Sequence, residues 1–500
     1  MTNITSTTGV CCLALFLALK CNVSFPGNTT YETSLGSYFS WQEAAIHPNC
    51  IVSPQIAQDV STAVNLLTAT TTTTISTPST PLAGCQFAVR SGGHASFPGA
   101  ANIEGGVTID LSRLSSITLS PPGVGAAARA AALPPTVSVG VGATWGLVYA
   151  QLDALRLSVN GGRAASVGVG GLTLGGGISY FGPRYGWTCD SVANLEVVLA
   201  DGRIVNANPD ENPDLLWVLS GGTNNFGIVT RGDLQTFPQG DLWGGQVVRP
   251  MQTADEQVVA LAAFNDPESY DEFASLITTF AYSGDQDVQV VVNDMQYTKP
   301  EANPLVFHAL SSMAAVSSTQ RITNMSDLAA ETEANDANGS RQASATLTKV
   351  SSIAALNAAV QAWNASVASV RTIPSIVWGL GLDPLPPLLY ERHADANAPG
   401  LADRKGKALI IINLTAKWLD VADDDAVDAA ARALIEAIKR DVGGLDALDP
   451  FLYVNYAAPW QRPVESYRRA SVERMRRVQD MYDPGRVFTN TVPGGFKVHQ

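Results

Sequence analysis

Apolar residues recur every three or four positions at Ile56, Val60, Val64 and Leu67, which gives one apolar face and predicts a helix. Ser53 is a favourable N-cap and Pro54 fits a first helical position, so the spacing opens this helix at Ser53. The Thr-rich stretch 68–80 ends it, because β-branched residues and Pro78 make poor helix. The apolar runs Phe87–Val89, Gly106–Leu111 and Val137–Val141 then read as short buried strands, and Thr144–Ala154 as a helix. Residues 121–135 form a low-complexity surface insertion. Leu195–Ala200 and Arg203–Val205, joined at Asp201-Gly202, read as a hairpin, and Asp214–Leu219 as a helix.

From about residue 240 to 450 the pattern changes. Glycine thins out, and Ala-rich helical patterns at 255–264, 325–333, 351–371 and 424–441 alternate with strand-like runs such as Val288–Val292 and Ala408–Ile412. This predicts a second α+β domain. A chain of 500 residues is also too long for one core. The divisions fall at 1–21, 45–240, 241–450 and 451–500. The last begins with Tyr453–Tyr456, read as a strand, where alternation puts Tyr453 and Asn455 on one face and Tyr456 on the other.

Residues 9–19, GVCCLALFLAL, are too short to span a bilayer and have the length of a secretory signal, although no Lys or Arg precedes them. The alternative is a buried N-terminal helix. Sequons at Asn3, Asn22, Asn28, Asn324, Asn338, Asn364 and Asn413 support a secreted glycoprotein. With Cys11, Cys12 and Cys21 in or near the signal, Cys50 and Cys85 are placed to form a disulfide, leaving Cys189 as a small buried thiol. A net charge of −14 argues against nucleic acid or anionic membrane as partner. It suits a soluble monomer that meets small neutral or apolar substrates.

Glycine is dense where the chain has its candidate chemistry. Arg90, Ser91, Gly92 and Gly93 follow a strand and form a candidate phosphate nest, with His94 directly after. Gly168-x-Gly170-x-x-Thr173 fails the dinucleotide fingerprint, because Thr173 replaces the third glycine and no helical run is predicted to follow. No Walker A sequence, Gly-x-Ser-x-Gly elbow or zinc pair is present, so metal and serine-hydrolase chemistry lack support. Arg184 and Tyr185, after the Gly-rich segment, are further pocket candidates.

FAVRSGGH at 87–94, GVGG at 168–171 with GGG at 175–177, VVLADG at 197–202, DLLW at 214–217, GGTNNFG at 221–227 and YVNY at 453–456 stand in one order. In that order the chain resembles the FAD-linked oxidases, and most of all their berberine-bridge-enzyme-like branch in its fungal secreted form. The resemblance is strong over 45–240 and good over 450–496. It implies an α+β fold: a two-subdomain PCMH-type FAD-binding domain, a substrate domain whose antiparallel sheet roofs the flavin, and a final segment returning to the first domain. It implies FAD held covalently by His94, with Arg90–Gly93 on the pyrophosphate. Ser166, Val167, Gly168, Gly170, Gly171, Thr173, Gly175 and Gly176 would run along the flavin, and Gly222, Gly227, Ile228 and Val229 would complete the pocket. Relatives often carry a second link through a Cys; Ala164 stands there, which implies a single covalent attachment. The implied reaction is substrate dehydrogenation: hydride moves to flavin N5, O2 is reduced to H2O2, and Tyr453 or Tyr456 acts as base beside Asn455, with Tyr453 preferred. The alternatives are an oxidative cyclase or dehydrogenase of secondary metabolism and a non-catalytic flavin-binding glycoprotein.

Overall fold

The computed structural model describes residues 7–69, 85–120, 135–335 and 338–499. Most of the Thr-rich stretch, the insertion at 121–134 and the Asn3 sequon lie outside the described residues.

The apolar run near the N-terminus is the helix Thr7–Leu19, with Cys12 and Leu15 buried in the core that also takes Val60, Val64 and Leu67. Two disulfides tie it down, Cys11–Cys85 and Cys12–Cys50. The Cys50–Cys85 pairing is therefore corrected: each of these cysteines bonds to the N-terminal helix instead. The helix expected from Ser53 is Ala57–Thr68, with its N-cap at Ile56, three residues later than the expected cap at Ser53. The reason lies in Asp59, whose carboxylate accepts from the amides of Gln55 and Ile56 at 2.9 and 3.4 Å, while Ser53 N is taken by Asn22 O. The side chain at the third helical position, rather than Ser53, satisfies the free amides there.

Three sheets follow. In the first, Val107–Asp110 lies between Cys50–Val52 and Phe87–Arg90 in parallel, with Val23–Ser24 antiparallel at the edge. Coverage on both faces explains why these strands read as unbroken apolar runs. The second sheet is antiparallel and centres on Ile228–Pro238, which pairs with Thr136–Gly140 and Val192–Val198. The expected hairpin forms, with Val192–Val198 against Ile204–Ala207. The third sheet has nine antiparallel strands, including Ala274–Ser283, Val288–Tyr297, Val377–Leu385, Leu409–Trp418 and Arg341–Val350. Helices Ala254–Phe264, Ile353–Val370 and Asp424–Gly443 cover one face and enclose a second apolar core. Along Ala274–Ser283 alternate residues enter that core, so the intervening ones, Ile277 among them, face the other way. No described helix is long and apolar enough to cross a membrane.

Candidate active site

A cavity of about 460 Å³ lies between the uncovered face of the nine-stranded sheet and the glycine-rich turns. Ser91, Gly92, Gly93 and His94 line it, as do Val167, Gly168, Gly170, Gly171, Gly227, Ile228 and Val229. Tyr453, Asn455 and Tyr456 close it. Ser166, Thr173, Gly175, Gly176 and Gly222 are not on its wall. Thr173 Oγ1 donates to Val169 O at 2.7 Å, and a Cβ on Gly222 would fall 2.2 Å from Val218 O. These two serve packing behind the wall.

Arg90 is also absent from the wall. Its Nη1 donates to Ser34 O and its Nη2 to Ser37 Oγ at 2.7 Å, its guanidinium lies 3.9 Å from the Tyr38 ring, and Asp110 is 3.8 Å away. The side chain turns back beneath the turn and anchors the helix Thr29–Gly36, so only the backbone of Ser91–Gly93 faces the cavity. Two close approaches shape that backbone. A Cβ on Gly92 would fall 2.5 Å from Gly168 Cα, so the two glycine turns interlock. Gly93 has φ +68°, a conformation that glycine adopts without strain. His94 then stacks on Phe39, ring centroids 3.9 Å apart at 12°. Buried Glu43 pins the loop beyond by accepting from the amides of Gly99 and Ala101 at 2.8 and 2.6 Å.

Contrary to the sequence reading, a short helix does follow Gly168, Val169–Leu174. The structure also corrects the tyrosine segment. Val454–Tyr456 is a 3₁₀ turn closed by Tyr456 N to Tyr453 O at 3.0 Å, not a strand. Residues i and i+3 of such a turn share a side, so both tyrosines line the cavity, their rings edge-to-face at 4.9 Å. Their hydroxyls differ in partners. Tyr453 Oη accepts from Asn455 Nδ2 at 3.0 Å. Tyr456 Oη accepts from Arg163 Nη2 and donates to Asp383 Oδ2 at 3.0 Å, and Arg163 pairs with Asp383 at 3.1 Å. Burial pushes both phenols well above the ordinary tyrosine value, and the nearby Arg163 charge opposes it. Close by, Tyr180 donates to Asp294 Oδ2 at 3.0 Å and lies 3.2 Å from Thr332 Oγ1, itself on the cavity wall.

The lining residues include no Asp or Glu, although the whole chain carries −14. Arg163 is the permanently charged group on the wall. A Cβ on Gly171 would meet no atom within 4 Å, so open space lies against the glycine wall. A carboxylate-free cavity with backbone-lined turns fits FAD, whose diphosphate is an anion and whose ring is flat. Ala164 lines the cavity where a second tether would come from. Cys189 is buried off the wall, its thiol pushed up by burial and by Asp190.

Residues 48–208 match the family described as FAD binding domain. The chain is 34% identical over 508 residues to the FAD-dependent monooxygenase CTB5 of Cercospora beticola, covering 98% of this chain and 92% of that protein. It is 39% identical over 479 residues to a Diaporthe leptostromiformis protein named Oligopeptidase PhomG'; the match takes in 95% of this chain but spans only 36% of that longer protein. Among solved structures, BBE-like 1 of Physcomitrella patens superposes with a TM-score of 0.75 at 17% identity, covering 97% of this chain and 98% of that one. Xylooligosaccharide oxidase of Myceliophthora thermophila, solved with xylobiose, gives 0.74 at 20% identity, covering 97% and 98%. Glucooligosaccharide oxidase of Acremonium strictum, described with a 6-S-cysteinyl, 8α-N1-histidyl FAD, gives 0.73 at 18%, covering 97% and 98%.

Proposed function

We propose a flavin-dependent oxidation of a small organic molecule for this chain, which belongs to the FAD-linked oxidoreductases of the berberine-bridge-enzyme-like branch. FAD, when bound, supplies a two-electron acceptor for a hydride equivalent at N5 and passes the electrons to O2, giving H2O2. The observation that carries the proposal is the Arg163–Tyr456–Asp383 group at the wall of a carboxylate-free cavity. Tyr456 is the base. As it takes the proton of a substrate O–H, N–H or C–H, its own proton passes along the existing hydrogen bond to Asp383, and Arg163 stabilises the negative charge that develops on the phenol oxygen. This replaces Tyr453 as the preferred base, because the Tyr453 hydroxyl has only neutral hydrogen-bond partners, Asn455 and the Ile178 backbone.

The Ser91–Gly93 and Val167–Gly171 backbones hold the cofactor, and His94 is its single covalent tether. A neutral imidazole is nucleophilic near pH 7, and stacking on Phe39 fixes its ring plane. Acid-precipitated wild-type protein should stay yellow, while the His94→Ala pellet releases its colour; a colourless wild-type pellet refutes the tether. An anaerobic screen of alcohols, sugars and phenolic or polyketide compounds for flavin bleaching tests the activity itself.

The name of the Cercospora relative, a monooxygenase, favours a second reading, oxygen insertion. Mass spectrometry of product made under 18O2 separates the two, since oxidation alone leaves the label in H2O2. The two disulfides support an oxidising compartment. Asn28, Asn324, Asn338 and Asn364 are exposed, whereas Asn22 is buried and Asn413 lines the cavity, so among the described sequons glycans fit the first four. Glycosidase treatment of secreted protein should lower its mass accordingly.

A further inference from the structure

A second cavity, of about 320 Å³, lies where the chain passes from the second sheet to the nine-stranded one, between Pro238–Asp241 and Thr298–Pro300. It shares no lining residue with the first. Three cations line it, Arg156, Arg184 and Lys299, against one carboxylate, Asp241. Among the described residues none of the three makes an ion pair, in a chain that pairs many of its arginines with carboxylates.

The cations are held in place by groups that leave their charge uncompensated. Arg184 Nη2 donates to Thr298 Oγ1 at 3.1 Å and to Gln239 Oε1 at 3.4 Å, while its buried Nε makes no hydrogen bond. Its guanidinium lies 5.1 Å from the Tyr185 ring and 4.9 Å from the Phe273 ring. Lys299 Nζ lies 3.3 Å from the centre of that same Phe273 ring. Phe273 therefore attracts two like charges to one spot. Arg156 lies against Gly240, where a Cβ would come within 2.6 Å of its Nη2, and its carbonyl accepts from Gln239 N at 3.0 Å. Burial disfavours the charge on Arg184, and Tyr185 and Glu272 only partly offset this. Three gathered cations with unused donors are what a bound anion satisfies.

We propose that this junction cavity binds a small oxyanion, a phosphate or carboxylate group of a metabolite, with Arg184 as its floor and the exposed Arg156 and Lys299 as its rim. Arg184 belongs to the short helix Gly182–Tyr185 and Lys299 follows the end of the strand Val288–Tyr297, so the anion bridges two parts of the fold and stabilises their contact.

Titration calorimetry on the holoprotein with inorganic phosphate, and separately with citrate, tests this against sodium chloride at equal ionic strength. Saturable binding of either anion, with a rise in thermal midpoint of roughly 1–2 °C at ten times Kd, is the expected result. Phosphate alone assigns a phosphate ester, and citrate alone a carboxylate. Each rim variant, Arg156→Gln or Lys299→Gln, should weaken binding about tenfold, and the double variant should abolish it. Both positions are exposed, so these variants keep the fold, and their flavin spectrum and turnover should match wild type. No saturable binding by wild type, or undiminished binding by the double variant, overturns the proposal. Either outcome leaves the oxidation proposal standing, since the two cavities share no residue.

Discussion

The two walls of the large cavity are built on opposite principles. The glycine wall, Ser91–Gly93 and Val167–Gly171, presents backbone, and its shape comes from where side chains are missing. The sheet wall presents side chains, Ile277, Gln342, Ser344, Asn413 and Thr415, each from a strand with its own place in the register. A backbone wall suits a ligand that never changes, because amides and close approaches cannot be retuned by one substitution. A side-chain wall suits a ligand that differs between relatives. Under the proposed function, the difference teaches where specificity would reside: cofactor on the glycine side, substrate on the sheet side.

The largest expected effect breaks the glycine wall. Gly168→Val places a Cβ 2.5 Å from Gly92 N, against backbone that cannot yield. This variant should give no yellow holoprotein and an early thermal midpoint. Gly171→Val sharpens the point. Its Cβ meets nothing within 4 Å, so the fold should survive while the side chain enters the cavity and flavin content falls. Equal loss of stability in both would show that the turns pack against each other and do not shape a cofactor site.

Next in size is the chemistry between the walls. Tyr456→Phe removes the hydroxyl that joins Arg163 and Asp383, and turnover should fall about 10²-fold or more with flavin content unchanged. Tyr453→Phe loses only neutral partners, Asn455 and the Ile178 backbone, and should cost much less. The reverse ranking, measured by stopped-flow flavin reduction, returns the base role to Tyr453.

This division also explains what was legible. The glycine wall is contiguous in sequence, so FAVRSGGH and GVGG announced it without a structure. A nest motif fixes the backbone but not the long Arg90 side chain, which here turns toward Ser34 and Tyr38. Period-2 alternation puts Tyr456 on the wrong face because the segment is a 3₁₀ turn, not a strand. Arg163 had the glycines beside it as a signal, yet Gly161 and Gly162 are explained by their contact with Trp145. Asp383 left only a weak signal, one charge within an otherwise apolar strand, Val377–Leu385. The disulfides needed coordinates, since spacing does not fix connectivity.

On the same sheet face as its register partner Ile277, Asp294 gives a pH signature. Burial raises its carboxyl from 3.8 to about 6, with Gln296 and Tyr180 opposing. The folded state therefore holds a proton that the unfolded state has released. The stabilisation is present below about pH 4 and is lost as pH rises through about 6, on the order of 2–3 kcal/mol. Asp294→Asn should remove this slope. Urea midpoints at pH 4 and pH 8 should differ less in the variant than in wild type, and an unchanged difference would exclude Asp294 as its source.

The smallest effect belongs to the sheet wall itself. Asn413 lines the cavity, and its Oδ1 is buried without a hydrogen bond among the described residues. Thr415, two residues along Leu409–Trp418, lines the same cavity, so strand alternation gives the pair one face. A buried acceptor left unsatisfied is unfavourable, and a substrate donor that reaches it recovers that energy. If the contact is made equally in ground and transition states, Asn413→Ala should raise KM about tenfold and leave kcat within about twofold. Asn413→Asp keeps the acceptor but puts a carboxylate into a cavity that has none, which should weaken a neutral substrate's rival anions and FAD retention alike. A fall in kcat at constant KM for Asn413→Ala would move Asn413 from substrate positioning to the reacting centre, and the division between the two walls would then fail at this residue.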